Sequence, residues 1–283
     1  MVVRAPAKIN LFLRVGALRR DGYHSIRTLF HAIGLFDELR FSPAARLSLA
    51  TAGLSSPRGA GNLVMRAAEL LRRETGCRPG GRIVLRKRIP AGAGLGGGSS
   101  DAAAALVGLN RLWRLGLPRR RLLALAARLG SDVPFFLHGA GAAVGTGRGD
   151  RLRPVPSRLR AWACILKPSF GVSTKDAYAA LDRVRARRPS PAASLRAVER
   201  AVRRGDLTAL RVHNDFEAVV FRRHPRLARL KSALLAAGAR AAFMTGSGSA
   251  VVGLFASATA ARRAARSLGR RRRAWSVSAP LLP

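Results

Sequence analysis

The chain has 283 residues, of which 48% are hydrophobic and 23% are charged, and these proportions fit a globular protein with a sizeable core rather than a disordered one. It contains no uncharged apolar run of about 18 residues, so the sequence predicts no membrane-spanning helix. The N-terminal segment lacks the apolar block and cleavage site of a signal peptide, and the two cysteines form neither a disulfide framework nor a zinc set. We therefore expect a cytoplasmic location.

The charge balance is unusual, because 52 Lys and Arg residues face only 14 Asp and Glu residues, for a net charge of +38. Such a balance can indicate a nucleic-acid partner. The cations are spread along the chain, however, and aromatic residues that could stack on bases make up only 6%. We therefore expect a compositional bias, with no specific nucleic-acid partner and no membrane partner. Where arginine is the habitual cation, the five lysines become candidates for chemistry: Lys8, Lys87, Lys167, Lys175 and Lys231.

Apolar periodicity predicts a mixture of strands and helices along the whole chain. The predicted strands are 6–15, 25–33, 82–89, 162–166, 250–255 and 275–277. The predicted helices are 62–73 with Asn62 as its N-cap, 99–113, 119–129, a long region at 174–204, 225–237 and 257–268, and residues 131–137 are predicted to turn into an apolar segment. This order gives an α/β or α+β fold, and Pro154 and Pro156 mark the expected linker between domains 1–155 and 156–283.

A glycine-rich loop, PAGAGLGGGSSDAAAA at residues 90–105, follows a predicted strand and precedes a predicted helix. In that context backbone N–H groups and the helix N-terminus bind phosphate, and Ser99, Ser100 and Asp101 are expected to cap the helix. The Gly-Lys-Ser/Thr ending of a P-loop is absent, and so are the other protein-kinase motifs. A dinucleotide site would need an acid about 20 residues after the loop, and residues 102–131 contain none.

The full loop string resembles the phosphate loop of the GHMP kinases, the superfamily of galactokinase and of homoserine, mevalonate and phosphomevalonate kinases. Three further blocks are similar to one branch of this superfamily: PAKINLFLRV with DGYH at residues 6–24, GSDVPFF at 130–136 and MTGSGSAVVGLF at 244–255. The resemblance spans nearly the whole chain. It implies two domains, an N-terminal ribosomal-S5-like ATP-binding domain and a C-terminal ferredoxin-like domain, with the active site in the cleft between them.

Asp132 is the better candidate for the base of a phosphoryl transfer, because it lies in a Gly-Ser-Asp-x-Pro turn before an apolar segment. Its structural alternative is a helix cap or an acid in a turn. Asp101 competes for the role, but a carboxylate beside ATP phosphates would be repulsive without a metal. Lys8 interrupts an apolar strand, and its ammonium could keep Asp132 ionised and polarise the acceptor hydroxyl. In the resembled branch the matching Lys and Asp are the catalytic pair.

The resemblance also assigns ligand contacts. It implies ATP at Pro90, Ala91, Gly92, Ala93, Gly94, Leu95, Gly96, Gly97, Gly98, Ser99, Ser100 and Asp101, with Asn62, Leu63 and Lys87 at the adenine. An ordinary helix cap, core leucine and surface lysine explain these last three equally well. Mg²⁺ is expected with ATP, but its ligands are not assigned.

The implied acceptor is the 2-hydroxyl of 4-diphosphocytidyl-2-C-methyl-D-erythritol, in the non-mevalonate route to isoprenoid precursors. The resemblance places Asn10, Tyr23, His24, Thr174, Tyr178, Gly246 and Ser247 around it, with Tyr23 stacking on the cytosine. The segment HNDFE at 213–217 is given no chemistry.

Two other functions stay open. A homoserine or mevalonate-like kinase would share the loop, but its acceptor has no base for Tyr23 and His24 to bind. A basic nucleic-acid-binding protein with a vestigial kinase site would bind DNA with a steep salt dependence, and the intact Lys8 and Asp132 argue against it. A monomer and a homodimer are both compatible with the sequence.

Overall fold

The computed structural model describes residues 1–57, 59–185 and 194–283. The strands are β1 (Val2–Leu18), β2 (His24–Ser42), β3 (Leu47–Gly53), β4 (Gly81–Lys87), β5 (Ala142–Thr146), β6 (Arg151–Val155), β7 (Trp162–Lys167), β8 (His213–Asn214), β9 (Ala241–Met244), β10 (Val251–Phe255) and β11 (Trp275–Pro280). The helices are α1 (Leu63–Thr75), α2 (Gly97–Leu112), α3 (Arg119–Leu129), α4 (Val133–His138), α5 (Thr174–Arg185), α6 (Leu195–Arg204), α7 (Glu217–Arg223), α8 (Pro225–Ala236) and α9 (Ala258–Arg272).

The chain divides into two compact units that are discontinuous in sequence. The first comprises residues 1–7, 35–91 and 96–139, and the second comprises residues 8–34, 92–95 and 140–283. The strands β1 and β2 and the glycine-rich loop therefore each contribute residues to both units. The predicted domains 1–155 and 156–283 are continuous segments, and the boundary between them stays a prediction.

In the first unit, β4 pairs antiparallel with residues 38–42 of β2 and parallel with β3. Helices α1 to α4 supply the rest of the core, and the run Ala102–Ala105 keeps the buried side of α2 thin. Gly108 of α2 lies against the Phe41 ring, where a Cβ atom would overlap the ring carbons. The predicted cap of α1 is confirmed, since Asn62 accepts a hydrogen bond from the Val64 N–H.

In the second unit, a four-stranded antiparallel sheet has the order β11-β7-β10-β9. A core beneath it combines residues of these strands with α5, α7, α8 and α9. In the same unit β1 pairs in parallel with the short strand β8, and β5 pairs with residues 28–31 of β2 and with β6. This unit thus brings residues 12–13 of β1 beside the HNDFE segment.

Most predicted elements are present, but the expected place of Pro154 was wrong. The predicted turn is present at residues 131–132, and the apolar segment that follows it forms the short helix α4. Pro154 lies in β6 opposite Ala143 rather than in a linker, which is possible because proline is tolerated where a strand has a free edge. The predicted helical region at 174–204 contains two helices, α5 and α6, and residues 186–193 between them lie outside the described residues. Among the described helices, none combines the length and the apolar composition needed to cross a bilayer.

Candidate active site

The glycine-rich loop leads from the end of β4 into α2. Gly92, Gly94 and Gly96 all have positive φ angles, of 62°, 75° and 71°, which glycine adopts without strain. Helix α2 begins at Gly97 with Gly96 as its N-cap and no side-chain cap. The expectation that Ser99, Ser100 and Asp101 cap this helix was therefore wrong, because the helix starts earlier and these residues lie within its first turns.

Lys87, at the end of β4, is buried between two carboxylates of the first unit. Its Nζ donates to Asp37 and, over 2.6 Å, to Asp101 of α2. The Oδ1 of Asp37 also accepts the backbone N–H groups of Arg88 and Ile89, at 2.5 and 2.9 Å. Lys87 is 4% exposed, so its interpretation as a surface lysine was wrong. Asp37 was missed; its only sequence signal is a charge within the apolar run of β2.

Burial raises the pKa of Asp101 to about 7, the ion pair with Lys87 opposes the rise, and the nearby charge of Asp37 adds to it. Its second oxygen, Oδ1, is buried and has no hydrogen-bond partner among the described residues, and the same holds for Ser100 Oγ. The beginning of α2 thus holds two buried oxygen atoms that a ligand could use.

Two of the predicted adenine contacts lie at the beginning of α1. Asn62 is buried, and besides capping the helix it donates from Nδ2 to the Pro57 carbonyl oxygen. Leu63 is partly buried and packs against the core of the first unit. A Cβ atom on Gly98 would lie 3.7 Å from Leu63, so this part of the unit places the beginning of α1 beside that of α2.

Asp132 is half-buried at the beginning of α4, directly before Val133 and Pro134. It occupies the N-cap position, but its side chain makes no cap hydrogen bond. The structure therefore contradicts a helix-capping side chain, whereas Asp132 does lie in the turn that precedes α4.

Lys8 and Asn10 are neighbours on one face of β1 in the second unit. Lys8 is 3% exposed, its Nζ donates to Asn10 Oδ1 over 2.8 Å, and the ammonium lies 5.3 Å from the centre of the Phe30 ring. The Lys8 N–H donates to the carbonyl oxygen of Leu95 in the glycine-rich loop. The structure thus brings the predicted lysine to residues 92–95 of the predicted phosphate loop.

Residues 246–248 form a second glycine loop, called the late glycine loop below. Its Ser247 and the predicted substrate residue Thr174 share a hydrogen bond of 2.8 Å between their hydroxyl oxygens. Gly246 has a φ of 58°, and a Cβ atom there would lie 3.1 Å from the Gly94 Cα. Asn214, from the segment given no chemistry, donates to the carbonyl oxygens of Met244 and Gly246. Sequence reasoning missed this contact, because it joins residues far apart in the chain.

His24 and Tyr178, predicted around the cytosine, stack on one another with ring centres 4.9 Å apart and planes inclined by 18°. The nitrogens of His24 lie 3.1 Å from the Gly16 carbonyl oxygen and 3.3 Å from Asp182, which the sequence did not suggest. Tyr23 is 52% exposed, and the guanidinium of Arg148 lies 4.9 Å from its ring centre. Its ring is thus accessible to a flat ligand.

The predicted residues fall into both units. Lys8, Asn10, the residues predicted at the cytidyl group and the late loop lie in the second, whereas Asp132, Lys87, Asn62 and Leu63 lie in the first. Among residues 1–57, 59–185 and 194–283, no three His, Cys, Asp or Glu residues cluster in a way that could hold a metal ion.

Comparisons with known proteins identify the family. Residues 62–140 match the family model described as the GHMP kinases N terminal domain, and residues 195–273 match the model described as GHMP kinases C terminal. The chain is 45% identical to the 4-diphosphocytidyl-2-C-methyl-D-erythritol kinase of Rhodococcus jostii over 93% of this chain and 86% of the relative. It is also 45% identical to the enzyme of that name from Moorella thermoacetica, over 94% and 93% of the two chains.

Solved structures agree with this result. A crystal structure of 4-(cytidine 5'-diphospho)-2C-methyl-D-erythritol kinase is 39% identical and covers all of both chains with a TM-score of 0.84. Homoserine kinase from Cytophaga hutchinsonii is 19% identical with a TM-score of 0.73, over 99% of this chain and 94% of that one, and this likeness shows the fold alone. The chain has the two-domain GHMP kinase fold with mixed α and β structure, and it belongs to the family of 4-diphosphocytidyl-2-C-methyl-D-erythritol kinases.

Proposed function

We propose that this chain transfers the γ-phosphoryl group of ATP to the 2-hydroxyl of 4-diphosphocytidyl-2-C-methyl-D-erythritol, with Asp132 as base and Lys8 as its cationic partner. The observation that carries the reaction is the 45% identity to kinases of that name over nearly the whole chain. The residue roles rest on the motifs and on the local geometry of each unit.

Phosphoryl transfer depends mainly on positioning and on charge stabilisation. Asp132 would accept the proton of the attacking hydroxyl, which agrees with a side chain that the helix does not use as a cap. Lys8 would stabilise the negative charge that develops at the transferred phosphate. Its position is fixed by Asn10, whose amide oxygen accepts a hydrogen bond from Nζ.

The glycine-rich loop, residues 90–101, would bind the triphosphate through backbone N–H groups and the beginning of α2. Asn62, Leu63 and Lys87 would form the adenine side of the ATP site. The Lys87 ammonium already donates to Asp37 and Asp101, so a contact with ATP would use its third N–H bond.

Mg²⁺ would enter with ATP and neutralise the charge of the phosphates. It commonly keeps several waters and takes one or two protein oxygens. The buried Ser100 Oγ and Asp101 Oδ1, which lack hydrogen-bond partners in the described chain, fit such a role.

The acceptor would be held in the second unit. The exposed ring of Tyr23 would stack on the cytosine, and His24 with Tyr178 would form the adjoining part of the same site. Asn10 and the hydroxyls of Thr174 and Ser247, together with Gly246, would contact the remainder of the acceptor.

The test measures ADP release by the purified protein with ATP, Mg²⁺ and 4-diphosphocytidyl-2-C-methyl-D-erythritol. We expect turnover that requires the cytidyl group and that falls by about 10²- to 10⁴-fold in Asp132→Asn, which keeps the size of the side chain but cannot accept the proton. Turnover with homoserine or mevalonate instead would overturn the proposed substrate but would still agree with the GHMP kinase fold. Full activity of Asp132→Asn would overturn the role of that residue alone.

A further inference from the structure

The hydroxyl of Thr245 lies at a meeting point of three segments in the second unit. Thr245 is fully buried and follows the last residue of β9. Its Oγ1 accepts the backbone N–H of Asn10 over 3.1 Å. Its proton faces two acceptors, Asn10 Oδ1 at 3.3 Å and the Gly94 carbonyl oxygen at 3.2 Å. One side chain thus joins β1, the glycine-rich loop and the late glycine loop.

The backbone on both sides of Thr245 is fixed by Asn214. Its Nδ2 donates to the carbonyl oxygen of Met244 at 2.6 Å and to that of Gly246 at 2.8 Å, while its Oδ1 accepts the N–H of Phe216. Asn214 is itself buried. The peptide groups that carry Thr245 are therefore held in place independently of any ligand.

The two glycine loops also pack directly on one another. A Cβ atom on Gly94 would lie 2.0 Å from the Thr245 carbonyl oxygen, a distance that no side chain tolerates. The close approach therefore requires glycine at residue 94, and it brings the hydroxyl of Thr245 within hydrogen-bond distance of the loop.

The orientation of the Asn10 amide follows from its partners. Nδ2 donates to Thr28 Oγ1 over 2.8 Å, and Thr28 in turn donates to the Phe12 carbonyl oxygen. The amide oxygen then faces Lys8 Nζ at 2.8 Å and the Thr245 hydroxyl. Removing the hydroxyl would leave this oxygen with one fewer donor. It would also break the link through Thr245 that holds Asn10 in place relative to Gly94 of the glycine-rich loop.

We propose that Thr245 is a positioning residue, whose hydroxyl fixes the Asn10 amide, and through it the Lys8 ammonium, relative to Gly94 of the phosphate-binding loop. This inference rests on the proposed function, because it takes Lys8 as the catalytic lysine and residues 92–95 as part of the ATP site. Thr245 itself contacts neither substrate nor the transferred group in this scheme.

The first experiment compares Thr245→Val with Thr245→Ser. Valine keeps the shape without the hydroxyl, and serine keeps the hydroxyl without the methyl group. We expect kcat to fall about 10- to 100-fold in Thr245→Val, with smaller changes in KM, because a small misplacement of reacting groups costs rate. Thr245→Ser should recover kcat to within about threefold of the wild type. Equal rates for the two variants, per folded enzyme, would overturn the proposal.

Thr75→Val serves as the matched control. The Thr75 hydroxyl donates to the Leu71 carbonyl oxygen within α1, so we expect this variant to keep the kcat of the wild type. If Thr245→Val does not fold, Thr245→Cys takes its place, since a thiol has a similar size but donates weakly. Its kcat should then lie below that of Thr245→Ser, and equal values would overturn the proposal.

A double-mutant cycle separates this inference from the proposed function. Lys8→Met alone tests the lysine, and full activity of that variant would overturn its catalytic role. If Lys8→Met is slow, Thr245→Val should cost much less in the Lys8→Met background than in the wild type, because both act through one group. If the losses in kcat from the two substitutions are additive, the proposed role of Thr245 is wrong and that of Lys8 stands.

Discussion

Lys87 in the first unit and Lys8 in the second are both almost fully buried, but their surroundings differ. Lys87 donates to the carboxylates of Asp37 and Asp101, whereas Lys8 donates to the uncharged amide of Asn10 and lies over the Phe30 ring. Two carboxylates buried close together need a cation between them, so the Lys87 ammonium stabilises the fold of the first unit. In the proposed function Lys8 acts on the transferred phosphate, so we expect the same residue type to serve stability in the first unit and the reaction in the second.

The largest expected effect is on stability, at Lys87. Lys87→Met would leave Asp37 and Asp101 buried together, and removing one partner of a buried ion pair costs about 3–5 kcal/mol in the free energy of unfolding. Chemical denaturation measures this loss. The triple change Lys87→Met, Asp37→Asn and Asp101→Asn should recover part of the lost stability. A Lys87→Met protein as stable as the wild type would contradict the stabilising role of Lys87.

The same replacement at Lys8 should act mainly on the reaction. We expect kcat to fall about 10²- to 10³-fold in Lys8→Met, in the range seen when one charge-stabilising group is removed. The free energy of unfolding should fall by less than in Lys87→Met, since that variant leaves the two carboxylates of Asp37 and Asp101 buried side by side. Steady-state kinetics and denaturation on the same preparations test this. A Lys8→Met variant that loses more stability than Lys87→Met but keeps its kcat would contradict the prediction.

Two buried titratable groups, Asp101 and His31, should make contributions to the free energy of unfolding that change with pH in opposite directions. Burial raises the pKa of Asp101 from 3.8 to about 7, so between these values the folded chain holds a proton that the unfolded chain has released, and stability falls as pH rises. Burial lowers the pKa of His31 from 6.5 to about 4, so between these values the unfolded chain binds the extra proton and stability rises with pH.

Denaturation curves between pH 4 and pH 7.5 separate the two contributions. Asp101→Asn should make stability rise more steeply with pH, because it removes the contribution that opposes that of His31. His31→Gln should change the slope of stability with pH in the opposite direction, towards a fall, across the same window. Parallel pH profiles for the two variants would show that neither carboxyl nor imidazole titrates as the structure implies.

The smallest expected effects distinguish the parts of the glycine-rich loop in the two units. Gly94→Ala places a Cβ against the Thr245 carbonyl oxygen at a positive φ and should cost about 1–3 kcal/mol of stability. Gly98→Ala, in α2, has Leu63 as its nearest contact at 3.7 Å and should be neutral or stabilising by up to about 1 kcal/mol. Thermal unfolding of both variants tests this, and equal shifts in Tm would contradict it.

Local signals predicted much of the fold and part of the site. The strand of β1, the cap at Asn62 and the helix α3 follow from periodicity and capping, which act over a few residues. The pairing of β3 with β4, the short strand β8 and the helix α7 were not predicted, because their stability comes from long-range contacts that neighbouring residues do not encode.

The site shows the same division. The sequence by itself determined the chemistry available: a glycine-rich loop, a lysine within an apolar strand, an aspartate in a turn and a family resemblance that the comparisons confirm. The tertiary structure decided the partners. It placed the carboxylates of Asp37 and Asp101 beside Lys87 and oriented the Asn10 amide towards Lys8. It also brought Thr245, over two hundred residues away in the chain, within hydrogen-bond distance of Asn10. Most buried polar groups form hydrogen bonds with whatever partners the fold brings near them, and that pairing depends on distances in space that one-dimensional patterns do not contain.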